Sequence, residues 1–450
     1  MPADPAHAPD AEDADARAVA AIAGTEEIAA PAGTGLTAAA IQQAAQRLAA
    51  VVKRTPLEPS ERLSARLGVP VLLKREDMQV CRSYKARGAY NLISTLSAEE
   101  RERGVVCASA GNHGQGLAFA CRELRIRGRV FLPTNTPRQK RQRIADIGGE
   151  WIEPVIAGRS YDEASAAAHA DSERTGAIHV HPFDDARTIA GQGTVALELA
   201  EQAAAAGCEI DTVVVPIGGG GLAAGVALWL KRHQPGIRVV GAEPAGAASM
   251  GAALSGGGPV SLAHVDTFVD GAAVGRVGEL TYPLVRDLVD EVVAVPEGAV
   301  CTEMLDLYQS DGIIAEPAGA LASAAARGFL RRPPQGAVAC IVSGGNNDVS
   351  RYSEVVERSM VHEGLRHYFL VTFPQEPGAL RHFLDDVLAQ GEDIVVFEYV
   401  KKNNRETGPA LVGIELERAP DLPALLERME RSPLQIEQVP PGSPIFTFLL

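Results

Sequence analysis

The feature that most constrains the fold is an alternation that runs from about residue 57 to residue 356. Short runs rich in β-branched residues, such as residues 239–242 and 291–295, are separated by longer alanine-rich amphipathic runs. Strands that alternate with helices in this way build a sheet with helices packed on its faces. We therefore predict an α/β fold with functional side chains at strand ends, where such proteins build their sites.

Lys85 lies in the segment SYKARG, residues 83–88, shortly after the apolar run at 69–73. A primary amine forms a reversible imine with an aldehyde, and it attacks once it has lost its proton. Taken alone, Lys85 and Arg87 would be interpreted as a solvated, charged helix face. Two distant stretches favour a catalytic interpretation instead.

The first distant stretch is a run of glycines between an apolar strand at 212–217 and a helix-like run at 222–228, namely Gly218, Gly219, Gly220 and Gly221. Glycines let successive amides point inward, and a helix N-terminus favours negative charge, so this arrangement forms an anion cradle. The second stretch is SGGNN, which begins at Ser343 after a strand at 337–342. An amine, a phosphate cradle and a polar strand end together predict a pyridoxal phosphate site.

Five motifs occur in the order found in fold-type II pyridoxal phosphate enzymes, and within them in threonine dehydratases, which this chain resembles. They are KRED with SYKARG at 74–88, SAGNHGQG at 109–116, the four glycines, EPAG at 316–319 and SGGN at 343–346. The resemblance implies a two-lobed catalytic domain of the tryptophan synthase β type at residues 35–360. Its smaller lobe would span about residues 80–185. We interpret SAGNHG as a loop, with a helix starting at Gly116.

The resemblance also implies a role for individual cofactor-binding residues. It places a Schiff base on Lys85, the phosphate on the four glycine amides, and the flat ring of Tyr84 against one face of the cofactor. Asn112 would hydrogen-bond the ring hydroxyl. Ser343 would face the pyridine nitrogen and leave it neutral, which weakens the electron sink and suits elimination.

The substrate carboxylate would be bound by the amides of one loop, which contains Ser109, Ala110, Gly111 and His113. Glu316 has two open interpretations: a group that pairs with the substrate or lies beside the ring, and a carboxylate at a helix start. The implied reaction is dehydration and deamination of L-threonine to 2-oxobutanoate and ammonia, the first committed step of isoleucine biosynthesis. The freed Lys85 amine would remove the α-proton.

Several rival functions share this fold. A serine or threonine racemase needs a second acid-base group where this chain has Ala110, and a methyl group cannot return a proton. A cysteine-synthase-type β-replacement enzyme usually has threonine where this chain has His113. A serine dehydratase stays open, because the sequence does not decide between threonine and serine. An inert amino-acid sensor is disfavoured by the complete motif set around Lys85.

Residues 366–450 change in character and are interpreted as a separate domain. Their pattern predicts the order β-α-β-β-α-β, a ferredoxin-like unit. It carries no glycine phosphate loop, nucleophile or metal cluster, so we interpret it as regulatory. It resembles the ACT-like effector domain of threonine dehydratases, which implies feedback inhibition by isoleucine, with valine opposing it. Leu380 and Tyr399 align with effector-contacting positions, although both would also serve as core residues.

Composition excludes several other classes of protein. A net charge of -15 argues against nucleic-acid binding, and no apolar stretch approaches the roughly 18 residues needed to cross a membrane. The six cysteines are scattered, so no metal site is predicted.

Residues 1–34 are rich in alanine, proline and acidic residues and are predicted to be disordered. Without a secretion signal we expect a cytoplasmic protein, and the resemblance implies a homo-oligomer, usually a tetramer.

Overall fold

The structure is a computed structural model that describes residues 35–399, 401, 405–441 and 443–447. The tail at 1–34, for which disorder is predicted, lies outside the described residues. The strands are Leu57–Pro59 (β1), Val71–Arg75 (β2), Val105–Ala108 (β3), Gly128–Leu132 (β4), Ile152–Ile156 (β5), Ile178–His179 (β6), Ile210–Pro216 (β7), Arg238–Pro244 (β8), Glu291–Val295 (β9), Ala337–Val342 (β10), Arg366–Pro374 (β11), Glu392–Tyr399 (β12), Thr407–Leu416 (β13) and Gln435–Gln438 (β14).

The α-helices of the described residues lie between the strands, except the first, which precedes β1, and the last, which follows β14. They are Ala38–Leu48 (α1), Glu61–Leu67 (α2), Lys85–Ser94 (α3), Ala98–Arg103 (α4), Asn112–Leu124 (α5), Arg138–Gly148 (α6), Tyr161–Thr175 (α7), Ala186–Ala205 (α8), Gly221–His233 (α9), Ser249–Gly256 (α10), Thr281–Leu288 (α11), Glu297–Gln309 (α12), Pro317–Gly328 (α13), Tyr352–His362 (α14), Ala379–Val387 (α15), Leu422–Arg431 (α16) and Pro444–Thr447 (α17).

Two mainly parallel sheets build the region that the alternation predicts. The larger sheet has the order β1-β2-β10-β7-β8-β9 and is parallel except where β1 pairs with β2. The smaller sheet has the order β5-β4-β3-β6 and is parallel throughout. Parallel neighbours need long crossover connections, which the helices supply. The two-lobed α/β class predicted from the sequence is confirmed.

Strand β7 illustrates why the central strands consist of apolar runs. Val213 and Val215 belong to the core that contains Leu222 of α9, whereas Val214 belongs to the core on the opposite face, with Leu321 of α13. Successive side chains of a strand point to opposite faces, so a strand covered on both faces must be apolar throughout. The carboxyl end of β7 then leads directly into the four glycines.

Helix α5 begins at Asn112, so the predicted start at Gly116 is wrong by one helical turn. Gly114 and Gly116 lie inside the helix and allow tight packing, whereas Gly111 precedes it as the N-cap. A Cβ atom on Gly114 would lie 2.2 Å from the Ser109 carbonyl oxygen, which only glycine permits. Asn112 and His113 therefore lie in the first turn of a helix, at the end of β3.

The carboxyl-terminal sheet is separate from the other two and entirely antiparallel, with the order β12-β13-β11-β14. Helices α15 and α16 cover it through a core that includes Phe369, Phe383 and Leu425. The predicted β-α-β-β-α-β order and the ferredoxin-like class are confirmed. Helix α14 precedes this sheet, and its Glu357 accepts a hydrogen bond from the Tyr368 hydroxyl at 2.7 Å.

Candidate active site

Lys85 is the first residue of α3 and is held at the carboxyl end of β10. The Tyr84 amide donates to the Ser343 carbonyl at 3.2 Å, and Ser83 forms a bridge with Gly344. Two motifs that are about 260 residues apart in the chain, SYKARG and SGGNN, are therefore hydrogen-bonded to each other. This contact places the lysine at the edge where the strands of the larger sheet end.

A cavity of about 1530 Å³ lies in front of Lys85, between the two parallel sheets. The predicted site residues that line it are Tyr84, Lys85, Ser109, Ala110, Gly111, Asn112, His113, Gly218, Gly219, Gly220, Gly221 and Glu316. The tertiary structure thus brings together segments from four places in the sequence. A concave site with a few convergent polar groups is typical of small-molecule binding, and this cavity is larger than the roughly 300–1,000 Å³ of most such pockets.

The Lys85 amine is desolvated in this cavity. Its Nζ atom donates to the Pro182 carbonyl oxygen at 3.0 Å and lies 5.2 Å from the centre of the Tyr84 ring. Burial lowers the pKa of Lys85 to about 8, although the charge of Glu316 opposes this effect. A large fraction of the amine is therefore neutral, and so nucleophilic, in mildly alkaline solution.

The glycine loop has the shape of an anion cradle. Helix α9 begins at Gly221, and its N-cap Gly220 has a φ of +95° in the left-handed region. A Cβ atom on Gly219 would lie 2.3 Å from the ring of Phe183. The positive φ of Gly220 and the close ring at Gly219 therefore each favour glycine. The first amides of the helix are available to an anion.

Asn112 is oriented by a chain of side-chain hydrogen bonds. Asn346 Nδ2 donates to Asn112 Oδ1 at 2.7 Å, and Asn112 Nδ2 donates to Glu316 Oε1 at 2.6 Å. Asn346 also donates to the Cys81 carbonyl at 2.8 Å. The role of Asn346 was not predicted, although it is part of the SGGN motif. Because Asn346 donates to the Asn112 side-chain oxygen, the Asn112 side-chain nitrogen faces Glu316.

Glu316 combines features of both sequence interpretations. It occupies the N-cap position of α13, but its side chain makes no capping hydrogen bond and turns into the cavity. Burial raises the pKa of Glu316 to about 7, with a further contribution from Asp270, while the Asn112 hydrogen bond acts in the opposite direction. Near neutral pH this carboxyl group can therefore either donate or accept a proton.

His113 is buried and neutral. Its Nε2–H donates to the Val180 carbonyl oxygen at 2.8 Å, and burial lowers the pKa of the ring to about 3. Its Nδ1 atom is buried without a hydrogen-bond partner within the part of the chain that the structure describes. The Nδ1 atom can thus accept a hydrogen bond, and it belongs to the segment 109–113 that is predicted to bind the substrate carboxylate.

Ser343 lies behind the cavity and is not among the residues that line it. Its side chain is buried, and its hydroxyl donates to the Ala318 carbonyl at 3.1 Å. Its predicted contact with a ring nitrogen remains a prediction.

Phe183, which covers the glycine loop, was not predicted as a site residue, because a single aromatic residue after His-Pro carries no recognisable pattern in the sequence.

A buried group of four charges anchors α3 beneath Lys85; we call Lys74, Glu76, Arg87 and Glu198 the charge cluster. Arg87 Nε and Nη2 donate to the two carboxylate oxygens of Glu76 at 2.8 Å each, and Arg87 Nη1 donates to Glu198 at 2.7 Å. Lys74 Nζ donates to Glu198 at 2.8 Å. Arg87 is therefore not on a solvated helix face but in the interior, where two carboxylates neutralise it and Lys74.

The proposed effector residues lie on the carboxyl-terminal sheet and its helix. Leu380 is 41 % exposed on α15, and Tyr399 is 39 % exposed at the end of β12, where its ring packs edge-on to Phe373. This exposure disfavours the reading of both as core residues. Their contact with an effector remains a prediction.

Within the described ranges, no three His, Cys, Asp or Glu side chains are grouped closely enough to hold a metal ion. None of the helices that the structure describes combines the length and apolarity needed to cross a membrane.

The chain matches two protein families in succession. Residues 48–344 match the family described as pyridoxal-phosphate dependent enzyme, and residues 357–449 match the C-terminal regulatory domain of threonine dehydratase. The biosynthetic L-threonine dehydratase of Mycobacterium tuberculosis is 59 % identical over 92 % of this chain and 96 % of its own. The Bacillus subtilis protein of the same name is 46 % identical over 91 % and 96 %.

Solved structures agree with these sequence matches. The processed form of threonine deaminase isoform 2 from Solanum lycopersicum is 40 % identical, with a TM-score of 0.66 over 72 % of this chain and 95 % of that one. Maize serine racemase is 35 % identical, with a TM-score of 0.66 over 73 % and 98 %. Both lyases and racemases therefore share the catalytic fold.

Proposed function

The chain belongs to the family of pyridoxal-phosphate-dependent threonine dehydratases, and from this premise we propose that it converts L-threonine to 2-oxobutanoate and ammonia in isoleucine biosynthesis. The observation that carries the proposal is the desolvated Lys85 amine, which faces one cavity with an anion cradle and a helix N-terminus. The two family matches, in this order along the chain, support it. A biosynthetic role of this kind suits a cytoplasmic protein.

The residues of the cavity fit pyridoxal phosphate. We propose that Lys85 holds it covalently, that Gly218, Gly219, Gly220 and Gly221 bind its phosphate, and that Tyr84 and Asn112 contact its ring. The glycine loop has no room for a Cβ atom at Gly219 or Gly220, and its side-chain-free amides suit an anion, while a lysine of lowered pKa suits an aldehyde. When bound, the cofactor withdraws electrons and stabilises negative charge on the substrate's α-carbon.

Main-chain amides and the Lys85 side chain have separate roles towards the substrate. The amides of residues 109–113, at the start of α5, are placed to bind the substrate carboxylate, because a helix N-terminus attracts anions. The Lys85 Nζ atom removes the α-proton once it is free, and its lowered pKa suits a base that acts near neutral pH. The β-hydroxyl gains a proton and leaves as water, and hydrolysis of the released enamine, through its imine tautomer, gives 2-oxobutanoate and ammonia.

A racemase is the nearest alternative, because maize serine racemase shares the catalytic fold. Racemisation needs a group that returns a proton to the opposite face of the α-carbon. At the loop position concerned this chain has Ala110, whose methyl group lines the cavity and carries no proton to give. We therefore propose elimination as the main reaction, with serine as a secondary substrate.

The first test is an assay of the purified protein with L-threonine, with and without isoleucine, while the visible spectrum is recorded. We expect the absorbance band of a lysine-bound cofactor together with 2-oxobutanoate formation that isoleucine suppresses. Production of D-allo-threonine, the α-epimer of L-threonine, in place of 2-oxobutanoate would favour the racemase. Absence of both the absorbance band and 2-oxobutanoate would contradict the proposed function.

We further propose that isoleucine inhibits the enzyme through residues 366–450, with valine opposing it, and that the enzyme is a homotetramer. Inhibition requires the effector to bind one conformation better than another. Helix α14 provides the connection: Ser359 contacts Thr302 of α12 at 2.9 Å, and Glu357 bonds Tyr368 of β11. A shift of the terminal sheet would therefore move a helix that packs on the catalytic core.

Deletion of residues 366–450 should leave an enzyme that turns over L-threonine but no longer responds to isoleucine. The catalytic side chains and their hydrogen-bond partners all lie before this segment, whereas the effector is proposed to bind within it. Isoleucine titrations of the full-length and shortened proteins at the same threonine concentration measure the effect. Inhibition that survives the deletion would place the effector site in the catalytic part.

The reaction of the cofactor-free protein with pyridoxal phosphate should depend on pH. Only the neutral amine attacks the aldehyde, and burial lowers the pKa of Lys85 to about 8, so the rate should rise through about pH 8 and then level off. Stopped-flow absorbance of the covalent product follows this rate. A rise centred near the ordinary lysine pKa of about 10.4 would contradict a desolvated amine.

A further inference from the structure

The glycine loop is hydrogen-bonded to the hydroxyl of Thr281, a residue that is not among those lining the cavity. Thr281 is the first residue of α11 and is fully buried. Its Oγ1 donates to the Gly219 carbonyl oxygen at 2.6 Å and accepts from the Gly278 amide at 3.1 Å. The Gly219 carbonyl also accepts from the Gly278 amide at 3.4 Å, so the Thr281 hydroxyl makes the shorter of two hydrogen bonds that anchor the peptide joining Gly219 to Gly220.

The direction of this carbonyl determines the direction of the next amide. A trans peptide is planar, so its C=O and N–H groups point in opposite directions. With the Gly219 carbonyl bonded to Thr281, the Gly220 N–H must point away from Thr281. In the part of the chain that the structure describes, the Gly219 and Gly220 amides have no hydrogen-bond partner, and both residues line the cavity.

A peptide between two glycines needs such an anchor. Gly220 has a φ of +95°, and glycine changes its backbone conformation at little cost. If the peptide rotated, it would present a carbonyl oxygen to the anion where the cradle needs an N–H group. A Cβ atom on Gly220 would lie 2.9 Å from the Thr281 side chain, so the threonine packs directly against this residue.

Thr281 is itself held in place. Asp184 caps the start of α11, because its carboxylate accepts from the Leu280 amide at 2.8 Å and from the Glu279 amide at 3.0 Å. Asp184 follows Phe183, whose ring packs on Gly219. The same short segment thus covers the glycine loop and fixes the helix that supplies the hydroxyl.

We propose that Thr281 is a positioning residue for the cofactor phosphate: its hydroxyl holds the Gly219–Gly220 peptide with the N–H group towards the phosphate. It does not touch the anion and acts through the peptide. This inference rests on the proposed function, because it takes the glycine loop as the phosphate site.

The test compares Thr281→Val, which keeps the shape of threonine without the hydroxyl, with Thr281→Ser, which keeps the hydroxyl without the methyl group. Cofactor-free, full-length proteins are titrated with pyridoxal phosphate and, separately, with pyridoxal, which has the aldehyde but no phosphate. We expect Thr281→Val to weaken pyridoxal phosphate binding about tenfold, the effect of one ordinary hydrogen bond, and to leave pyridoxal binding within about twofold. Thr281→Ser should bind both compounds like the wild type.

Equal losses for both compounds would indicate a general structural role and overturn the inference. So would a valine variant with wild-type affinity, or a serine variant as weak as the valine variant. If the valine variant does not fold, Thr281→Ala replaces it under the same criteria. A wild-type protein that binds neither compound would remove the proposed function as well, whereas an unaffected valine variant removes only the role of Thr281.

Discussion

Replacement of Lys85 by alanine should reduce L-threonine turnover by about 10³-fold or more, because it removes both the covalent anchor and the base, and a positioned base alone contributes about 10²- to 10⁴-fold. The variant should still bind pyridoxal phosphate through the glycine loop, but without the absorbance band of a lysine-bound cofactor. The measurements are 2-oxobutanoate formation and the visible spectrum of the same preparation.

The matched control is Lys85→Arg. Arginine keeps the positive charge and a similar length, but its guanidinium group stays protonated and forms no imine, so this variant should be equally inactive. Addition of a small primary amine should restore part of the activity of Lys85→Ala, since the cavity left by the side chain can admit it. Turnover of either variant within an order of magnitude of the wild type would contradict the assignment of Lys85.

Replacement of Arg87 by methionine should lower the free energy of unfolding by about 3–5 kcal/mol, the usual effect of leaving a buried charge without its partner. Arg87 is fully buried and pairs with both Glu76 and Glu198. Burial alone would raise the pKa of Glu76, but the charges of Arg87 and Lys74 hold it below its ordinary value. In the variant that carboxylate loses its main partner while it stays in the interior.

Urea unfolding followed by tryptophan fluorescence measures this effect in the catalytic part, where both tryptophans, Trp151 and Trp229, are located. The matched control is Arg54→Met, which removes a guanidinium group from a surface pair. Arg54 and Glu201 are 55 % and 51 % exposed, so its loss should change the free energy of unfolding by less than about 1 kcal/mol. Similar effects of the two substitutions would mean that the charge cluster does not anchor α3.

The types of residue at the strand ends can be predicted from the sequence. Lys85, the four glycines and Ser343 each follow an apolar run, and parallel strands bring their carboxyl ends to one edge of a sheet. The α/β class and the ferredoxin-like terminal order follow from hydrophobic periodicity, which is a local property. For that reason Ala337–Val342 and Leu422–Arg431 have the bounds that the pattern predicts.

The start of α5 was predicted incorrectly for a physical reason. The glycines of SAGNHGQG look like loop residues because glycine has a low helix propensity. In the structure Gly114 is needed because another part of the backbone lies too close for a Cβ atom. Propensity is a weak guide where tertiary packing decides the conformation.

The side chains that support the site residues could be identified only once the packing of the chain was known. Glu198 meets Arg87 across 111 positions, Asn112 meets Glu316 across 204, and Thr281 meets Gly219 across 62. None of these pairs belongs to one periodic pattern, because a hydrogen bond between distant segments depends on how the sheets and helices pack. The order of residues thus predicts which chemical groups stand at the strand ends, whereas the packing of helices α3, α8, α11 and α13 sets how those groups are held.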